Sequence, residues 1–386
     1  MLDTVAIKII YPDFKVTRPD LFSPDLKIRM TDKIPAGYTP KSLFRKYTQN
    51  FTDAANGHTT KLTAYRRFED EKLNHRLHIE VSVPKMLFGN NLQELGEANF
   101  GAVVSRLQRI LSFNMGIEVS EETIENSIVT KAHFGKNVPL PYPRTSIDAI
   151  LELQKGDLGK AFEVNHREYK NNGEALYFYT KTRNLIFYDK VKDYQKPKSQ
   201  ATDKEKTSKE KEIVALGLLR HKEILRFEIR LVGQQSVNSF ITKATGKRTE
   251  RITLRELFNE ALCRDAVLYA WKDLTKRPAN QLAFKLSVSP EDVLNTLMEQ
   301  ARDRKSNVHG LNRVLIHFGL FQLINQFGAH YVRNKFEKVW SDKTCGKRLN
   351  DKIKESALSL KDIPNAEIVG LIDTALNKFE KYTFDY

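Results

Sequence analysis

The stretch LRFEIRL, Leu225–Leu231, alternates without a break. Leu225, Phe227, Ile229 and Leu231 fall on one side, and Arg226, Glu228 and Arg230 on the other. Successive side chains of a strand point to opposite faces, so this period of two requires a sheet with one apolar and one polar face. RLHIEVSV, Arg76–Val83, makes the same demand. Leu77, Ile79, Val81 and Val83 share one face, leaving His78, Glu80 and Ser82 on the other.

Three further segments read as strands: TVAIKIIY near the start, ENSIVTKAHFGKNVPL, and EALYFYTKTRNLIFYDKV. The second is expected to close in a Gly135-Lys136-Asn137 turn, and the third to form a hairpin turning around Thr182–Asn184. His75 is read as loop. Helical spacing runs from Leu92 to Leu111 through Leu95, Val103, Leu107, Ile110 and Leu111. RTSIDAILELQKG reads as a helix capped at Thr145 or Ser146 that exits at Gly156. Tyr194–Glu212 is a polar, charged stretch leading into a helix. From about Thr253 the reading turns helical, through LRELFNEALCRDAVLYAWKDL, SPEDVLNTLMEQARDR and LNRVLIHFGLFQLINQFG. At 386 residues the chain suits two domains. The expectation is an α+β fold: an antiparallel-sheet domain over residues 1–245, with a charged insertion at about 195–212, then a helical domain over 246–386.

The formal net charge of +15 attracts polyanions, nucleic acid ahead of acidic membrane surfaces. Cys263 and Cys345 lack ligand-like spacing and suit a reducing compartment. The start MLDTVAIKIIYPDF has no signal-peptide pattern, and no apolar run approaches the ~18 residues of a membrane span. A cytoplasmic protein with an anionic partner and no membrane is expected. The chain carries no P-loop, dinucleotide fingerprint or G-x-S-x-G elbow, which argues against ATP hydrolysis, helicase activity and the hydrolase elbow.

His78 and Glu80 project onto one sheet face about 7 Å apart. They are either a solvated polar pair or, with His133 from another strand, ligands that share a divalent cation. Tyr188 ends the apolar run NLIFY and is either a strand-end aromatic or a nucleophile. A free phenol ionises near pH 10 and needs help at neutral pH, which Lys190 or Lys192 would supply. Glu228, between Arg226 and Arg230, reads as one half of a cross-strand ion pair or as electrostatic support for a metal.

Four segments in order resemble the gene II/X family of phage and plasmid replication initiators. They are IEVSVPKMLFGNNLQEL (Ile79–Leu95), IVTKAHFGKNV (Ile128–Val138), LIFYDKVKD with its Tyr-x-Lys-x-x-acid pattern, and LRFEIRL. The likeness spans roughly Ile79–Leu231. It implies a sheet-borne nuclease domain, divergently related to the histidine–hydrophobic–histidine nucleases, that starts rolling-circle replication. In that chemistry a tyrosine nicks one strand of a double-stranded origin, keeps the bond energy in a 5′-phosphotyrosine link, and later rejoins the displaced single strand. The resemblance puts Tyr188 at the nucleophile, Lys190 at its companion lysine and Asp193 at the following acid; Lys192 and Glu228, read from the residues themselves, complete the candidate catalytic set. His133 stands where the family has Asp, and an ungapped register puts His78 at the family's strand carboxylate, beside Glu80. Mg²⁺ or Mn²⁺ is the implied ion, the host helicase and polymerase are the implied partners, and the bacterial cytoplasm the implied location.

The C-terminal HYVRNKFEKVWSDKTCGKRLNDKIKESALS resembles a helix–turn–helix. Its basic second helix would lay Lys343, Lys347, Arg348 and Lys352 along DNA, or else be a solvated surface helix. Phe318, Phe321, Phe327, Phe336 and Trp340 are expected in the core. Two alternatives stay open: a non-catalytic DNA-binding replication regulator, and a relaxase or transposase with related tyrosine chemistry. Tyr179 and Tyr194 are the substitute nucleophiles.

Overall fold

A computed structural model describes residues 1–22, 45–69, 72–159, 162–168, 174–196, 205–285, 289–302, 307–339 and 343–384. The strands are β1 (Leu2–Ile10), β2 (Lys15–Val16), β3 (Arg45–Thr52), β4 (Thr59–Glu69), β5 (Lys72–Ser82) and β6 (Ile117–Glu118). They continue with β7 (Ile128–Pro139), β8 (Glu163–Glu168), β9 (Glu174–Tyr179), β10 (Arg183–Asp189) and β11 (Ile224–Val232). Nine of them form one antiparallel sheet in the order β3-β4-β5-β1-β7-β11-β10-β9-β8, while β2 and β6 make a small separate ribbon.

The helices up to residue 257 are α1 (Val83–Phe88), α2 (Phe100–Arg109), α3 (Glu121–Glu125), α4 (Ser146–Leu153), α5 (Lys190–Gln195), α6 (Ser208–Ala215), α7 (Gln234–Thr245) and α8 (Leu254–Leu257). The rest are α9 (Glu260–Thr275), α10 (Pro278–Ala283), α11 (Pro290–Arg302), α12 (Asn307–Phe327), α13 (Ala329–Val339), α14 (Lys343–Ser359) and α15 (Glu367–Lys378). No helix among the described residues is long and apolar enough to cross a membrane.

The alternation of β5 and β11 does what the period of two requires. Leu77, Ile79, Val81, Leu225, Phe227, Ile229 and Leu231 enter one core. Phe187 of β10 stacks on Phe227 at 4.7 Å between centroids, and both meet Trp271 of α9 edge-on. Helices α4, α7, α9 and α15 pack on this face, and the same core continues through Leu282, Leu320 and Phe321 into the C-terminal helices. On the opposite face a smaller cluster of Leu92, Val191, Tyr194, Ile213, Leu219, Ile224 and Phe384 seats α5 and α6 at the Ile224 end of β11. Lys85 and Glu210, both buried and 3.2 Å apart, tie α6 back to α1. The sheet is thus covered on both faces at that end.

Several local expectations are corrected. Residues 135–137 make no turn, because β7 runs through them to Pro139. A Cβ on Gly135 would sit 2.0 Å from Arg226 Nη2, so the missing side chain admits that guanidinium instead of bending the chain. The helix expected from Leu92 starts at Phe100. Asn90 Oδ1 takes the N–H groups of Leu92 and Gln93 and holds the intervening chain out of a helix. The long helical reading after Thr253 breaks between α8 and α9, where Asn259 caps the second piece. His75 is not loop but a buried member of β5, opposite Arg66. The hairpin turns at Thr180–Thr182, earlier than expected. Thr180 Oγ1 accepts the N–H groups of Thr182 and Arg183, so Asn184 already pairs with Tyr179. Phe327 is exposed against Tyr331, on the last turn of α12, while Phe321 is core and Phe318 and Phe336 are half-buried against it. Trp340 lies outside the described residues.

Candidate active site

The polar parity of the sheet carries the chemistry. In the register of the strands, Lys61, Thr63 and Tyr65 of β4 face Glu80, His78 and Arg76 of β5. Lys8 of β1 follows, then Lys131 and His133 of β7. Arg226, Glu228 and Arg230 of β11 come next, opposite Tyr188, Ile186 and Asn184 of β10. His78, Glu80, His133, Glu228 and Tyr188 therefore share one face.

At the covered end this face closes into a buried polar cluster. Tyr188 is 1 % exposed; its ring lies among Ala175, Ile186 and Tyr177, and its hydroxyl donates to Glu228 Oε2 at 3.4 Å. Glu228, 2 % exposed, also accepts from Arg230 Nε at 2.9 Å and Nη2 at 3.3 Å, with His133 Nδ1 3.4 Å from its other oxygen. Burial pushes the Glu228 carboxyl up, but the Arg230 charge and the His133 contact outweigh it and hold it well below the carboxylate range. His133 is pushed down, burial outweighing the pull of Glu228, so its neutral imidazole is favoured. Arg226 is buried against Asp3 Oδ2 at 3.0 Å and Asn137 Oδ1 at 3.1 Å. Despite burial, Asp3, Tyr188 and Glu228 raise its pKa further, and Glu228 and Tyr188 do the same for Arg230. Lys190, fully buried at the start of α5, sits 5.5 Å from the Tyr188 ring centroid and 4.9 Å from that of Tyr194.

The structure thus gathers Tyr188, Glu228, His133 and Lys190. Lys192 faces Asp189, with Nζ 3.9 Å from Oδ2, and Asp193 is buried within α5, its carbonyl accepting from Lys206. Asp189 caps α5 by accepting the Lys192 N–H, and burial pushes its carboxyl up to about 6. Tyr194 is occupied with Asn91 at 3.0 Å.

The three residues expected to hold a metal do not converge. His78 is opposite Lys8 and His133 opposite Thr4. That separates them by about 13 Å along the strands and about 10 Å across them. Glu80 is paired with Lys131 at 2.6 Å, and His78 packs edge-on against Tyr65. Burial, Lys8 and Arg76 push His78 down to about 4. Among the described residues no three His, Cys, Asp or Glu side chains are grouped to hold a metal ion. Alternation identified the shared face, but the offset between β5 and β7 separates the ligands.

Sequence reasoning treated Arg226 and Glu228 as outward-facing and missed Asp3. Glu228 is held along its own strand by the bidentate Arg230 guanidinium as well as meeting His133 across strands. The one available signal was an unbroken charge triplet on a strand whose other face is wholly apolar. In α14, Lys347, Arg348 and Lys352 are exposed and Lys352 pairs with Glu355; the Lys343 side chain lies outside the described part.

No protein-family model, curated protein or solved structure matches the chain.

Proposed function

We propose that the chain is a DNA nicking-and-joining enzyme that initiates rolling-circle replication through Tyr188. The observation that carries this reading is the Tyr188 hydroxyl directed at a buried carboxylate on the polar sheet face, with Arg226, Arg230 and Lys190 around it. Cations facing a phenol favour its ionised form and oppose the charge that builds on a phosphoryl group under attack. In the proposed step Tyr188 Oη bonds to phosphorus, the 3′-oxygen leaves, and the phenolic proton ends on that oxygen. The product is a 5′-phosphotyrosine ester and a free 3′-hydroxyl, and the reverse step rejoins the strand. Glu228 orients the phenol by accepting its hydrogen bond, Arg230 and His133 fix the carboxylate, and Arg226 and Lys190 supply positive charge. No step is routed through Mg²⁺ or Mn²⁺, because His78, Glu80 and His133 do not form a ligand set.

The polar face supports a nucleic-acid substrate. Glu80, Glu228 and Asp3 are each neutralised by a neighbouring cation, and Lys61 adds further positive charge. The order of the four resembling segments adds the replication-initiator role, with an origin duplex and its displaced single strand as substrates and the host helicase and polymerase as partners.

Denaturing electrophoresis after incubation with supercoiled origin DNA tests the reading. A covalent protein–DNA band is expected for the native protein and none for Tyr188→Phe, with DNA binding retained. An undiminished band in Tyr188→Phe would move the nucleophile elsewhere. The burial of Tyr188 favours a second reading, a non-catalytic DNA-binding regulator, which predicts no band in either protein and equal DNA binding by both.

A further inference from the structure

The helix that follows β11 has a division of labour the strand-transfer reading does not use. Val237, Phe240 and Ile241 of α7 are buried, and Phe240 meets Tyr269 of α9 edge-on at 5.3 Å. Gln235, Ser239 and Lys243, spaced four apart and so aligned along one stripe, are exposed. Beyond the Gly246 cap, Lys247, Arg248 and Arg251 are exposed as well, against one acid, Glu250, which pairs with Arg248 at 3.0 Å. Between α7 and residues 248–250 runs an open groove of about 620 Å³. The helix is firmly placed, for Gln234 Oε1 accepts from Lys8 Nζ at 3.1 Å and the Gly233 N–H donates to Thr130 O.

We propose that α7 reads duplex DNA in the major groove; the choice of DNA rests on the reading above. A helix fits that groove, a glutamine amide can pair both adenine N6 and N7, and serine accepts either partner. Lys243 and the cations of the following loop lie where phosphates would flank the reading stripe. One sign of charge dominates the surface, and its uncharged residues are amide and hydroxyl side chains rather than apolar ones. That composition suits a polyanion with hydrogen-bonding edges better than it suits a protein partner.

The test is selection of a randomised 20-base-pair duplex pool by the full chain, with oligothymidylate binding measured in parallel. The native protein should enrich a short motif containing an A·T pair. Gln235→Ala should keep pool affinity within about threefold and lose about tenfold in discrimination at that pair. Lys243→Gln with Arg248→Gln should lower the slope of log affinity against log salt by about two on duplex, leaving oligothymidylate binding unchanged. An unselective native protein, an unaltered motif in Gln235→Ala, or an unaltered slope in the double variant would overturn the assignment. The outcomes separate the two readings. Loss of the Tyr188 adduct result with α7 effects intact removes strand transfer alone, whereas an adduct with no α7 effect removes this inference alone.

Discussion

Replacing Glu228 by glutamine removes one charge and almost no volume from the centre of the cluster. The carboxylate is 2 % exposed and takes two hydrogen bonds from Arg230, with His133 and Tyr188 each at 3.4 Å. An amide keeps one acceptor oxygen but turns an N–H₂ toward the guanidinium or the imidazole, and leaves Arg230 without its counter-charge. Breaking a fully buried pair in this way costs about 3–5 kcal/mol. Arg230 retains 24 % of its side-chain surface, so water recovers part of that. The net loss is about 2–3 kcal/mol. At ~2.1 cal/mol/K of unfolding entropy per residue, the whole chain carries roughly 0.8 kcal/mol/K, so the melting point should fall by about 3–4 °C. Thermal melts at pH 7 of the native protein, Glu228→Gln, Arg230→Gln and the double variant close a double-mutant cycle. The double variant should lose about 1–2 kcal/mol less than the sum of the singles. A fall under ~1 °C in Glu228→Gln, or strict additivity in the cycle, would refute the claim that this carboxylate is held by its burial and its guanidinium.

Three other variants follow from the same geometry. Gly135→Ala would press a methyl against the Arg226 guanidinium and lever it from Asp3 and Asn137, at a cost of about 2–4 kcal/mol in urea melts; an unchanged midpoint would contradict this. Tyr188→Phe gives up the 3.4 Å hydrogen bond to Glu228 and keeps the buried ring, so it should cost under ~1 kcal/mol in the same melts, which makes loss of the covalent adduct a chemical effect and not an unfolding one. Asp189 has its folded pKa raised to about 6 from 3.8, so the folded chain holds that proton more tightly. Its contribution is therefore favourable below about pH 4 and is lost as pH rises to 6. Asp189→Asn, which still caps α5, should be more stable than the native protein by about 3 kcal/mol at pH 7.5 and equal to it near pH 3.5. Equal stabilities at pH 7.5 would show that the carboxyl is not strained by its burial.

Much of the fold was legible because its signals are local. The alternation of Leu225–Leu231 and Leu77–Val81 specified which side chains enter the core. The helices α4, α6 and α8 begin at Thr145, Thr207 and Thr253, each with a reciprocal acidic partner three residues on, a pattern decided within one turn. Less was legible where a residue's role depends on something distant. Gly135 reads as a turn until Arg226, about ninety positions later, is seen to lie across it. His75 reads as loop until β4 pairs with it.

Parity and proximity have different physical origins. Parity follows from the pleat of each strand, so the chain by itself determined that His78, Glu80 and Glu228 sit opposite the apolar core. Proximity follows from the order and offset of nine strands, which only the tertiary structure decided. That order brings β7, β11 and β10 together, so His133, Glu228 and Tyr188 meet. The same order inserts β1 between β5 and β7, and a four-residue offset along it keeps His78 from His133. It also seats α5 and α6 over one end of the polar face, where Tyr188, Arg226 and Glu228 are withdrawn from water and their charges act on one another most strongly.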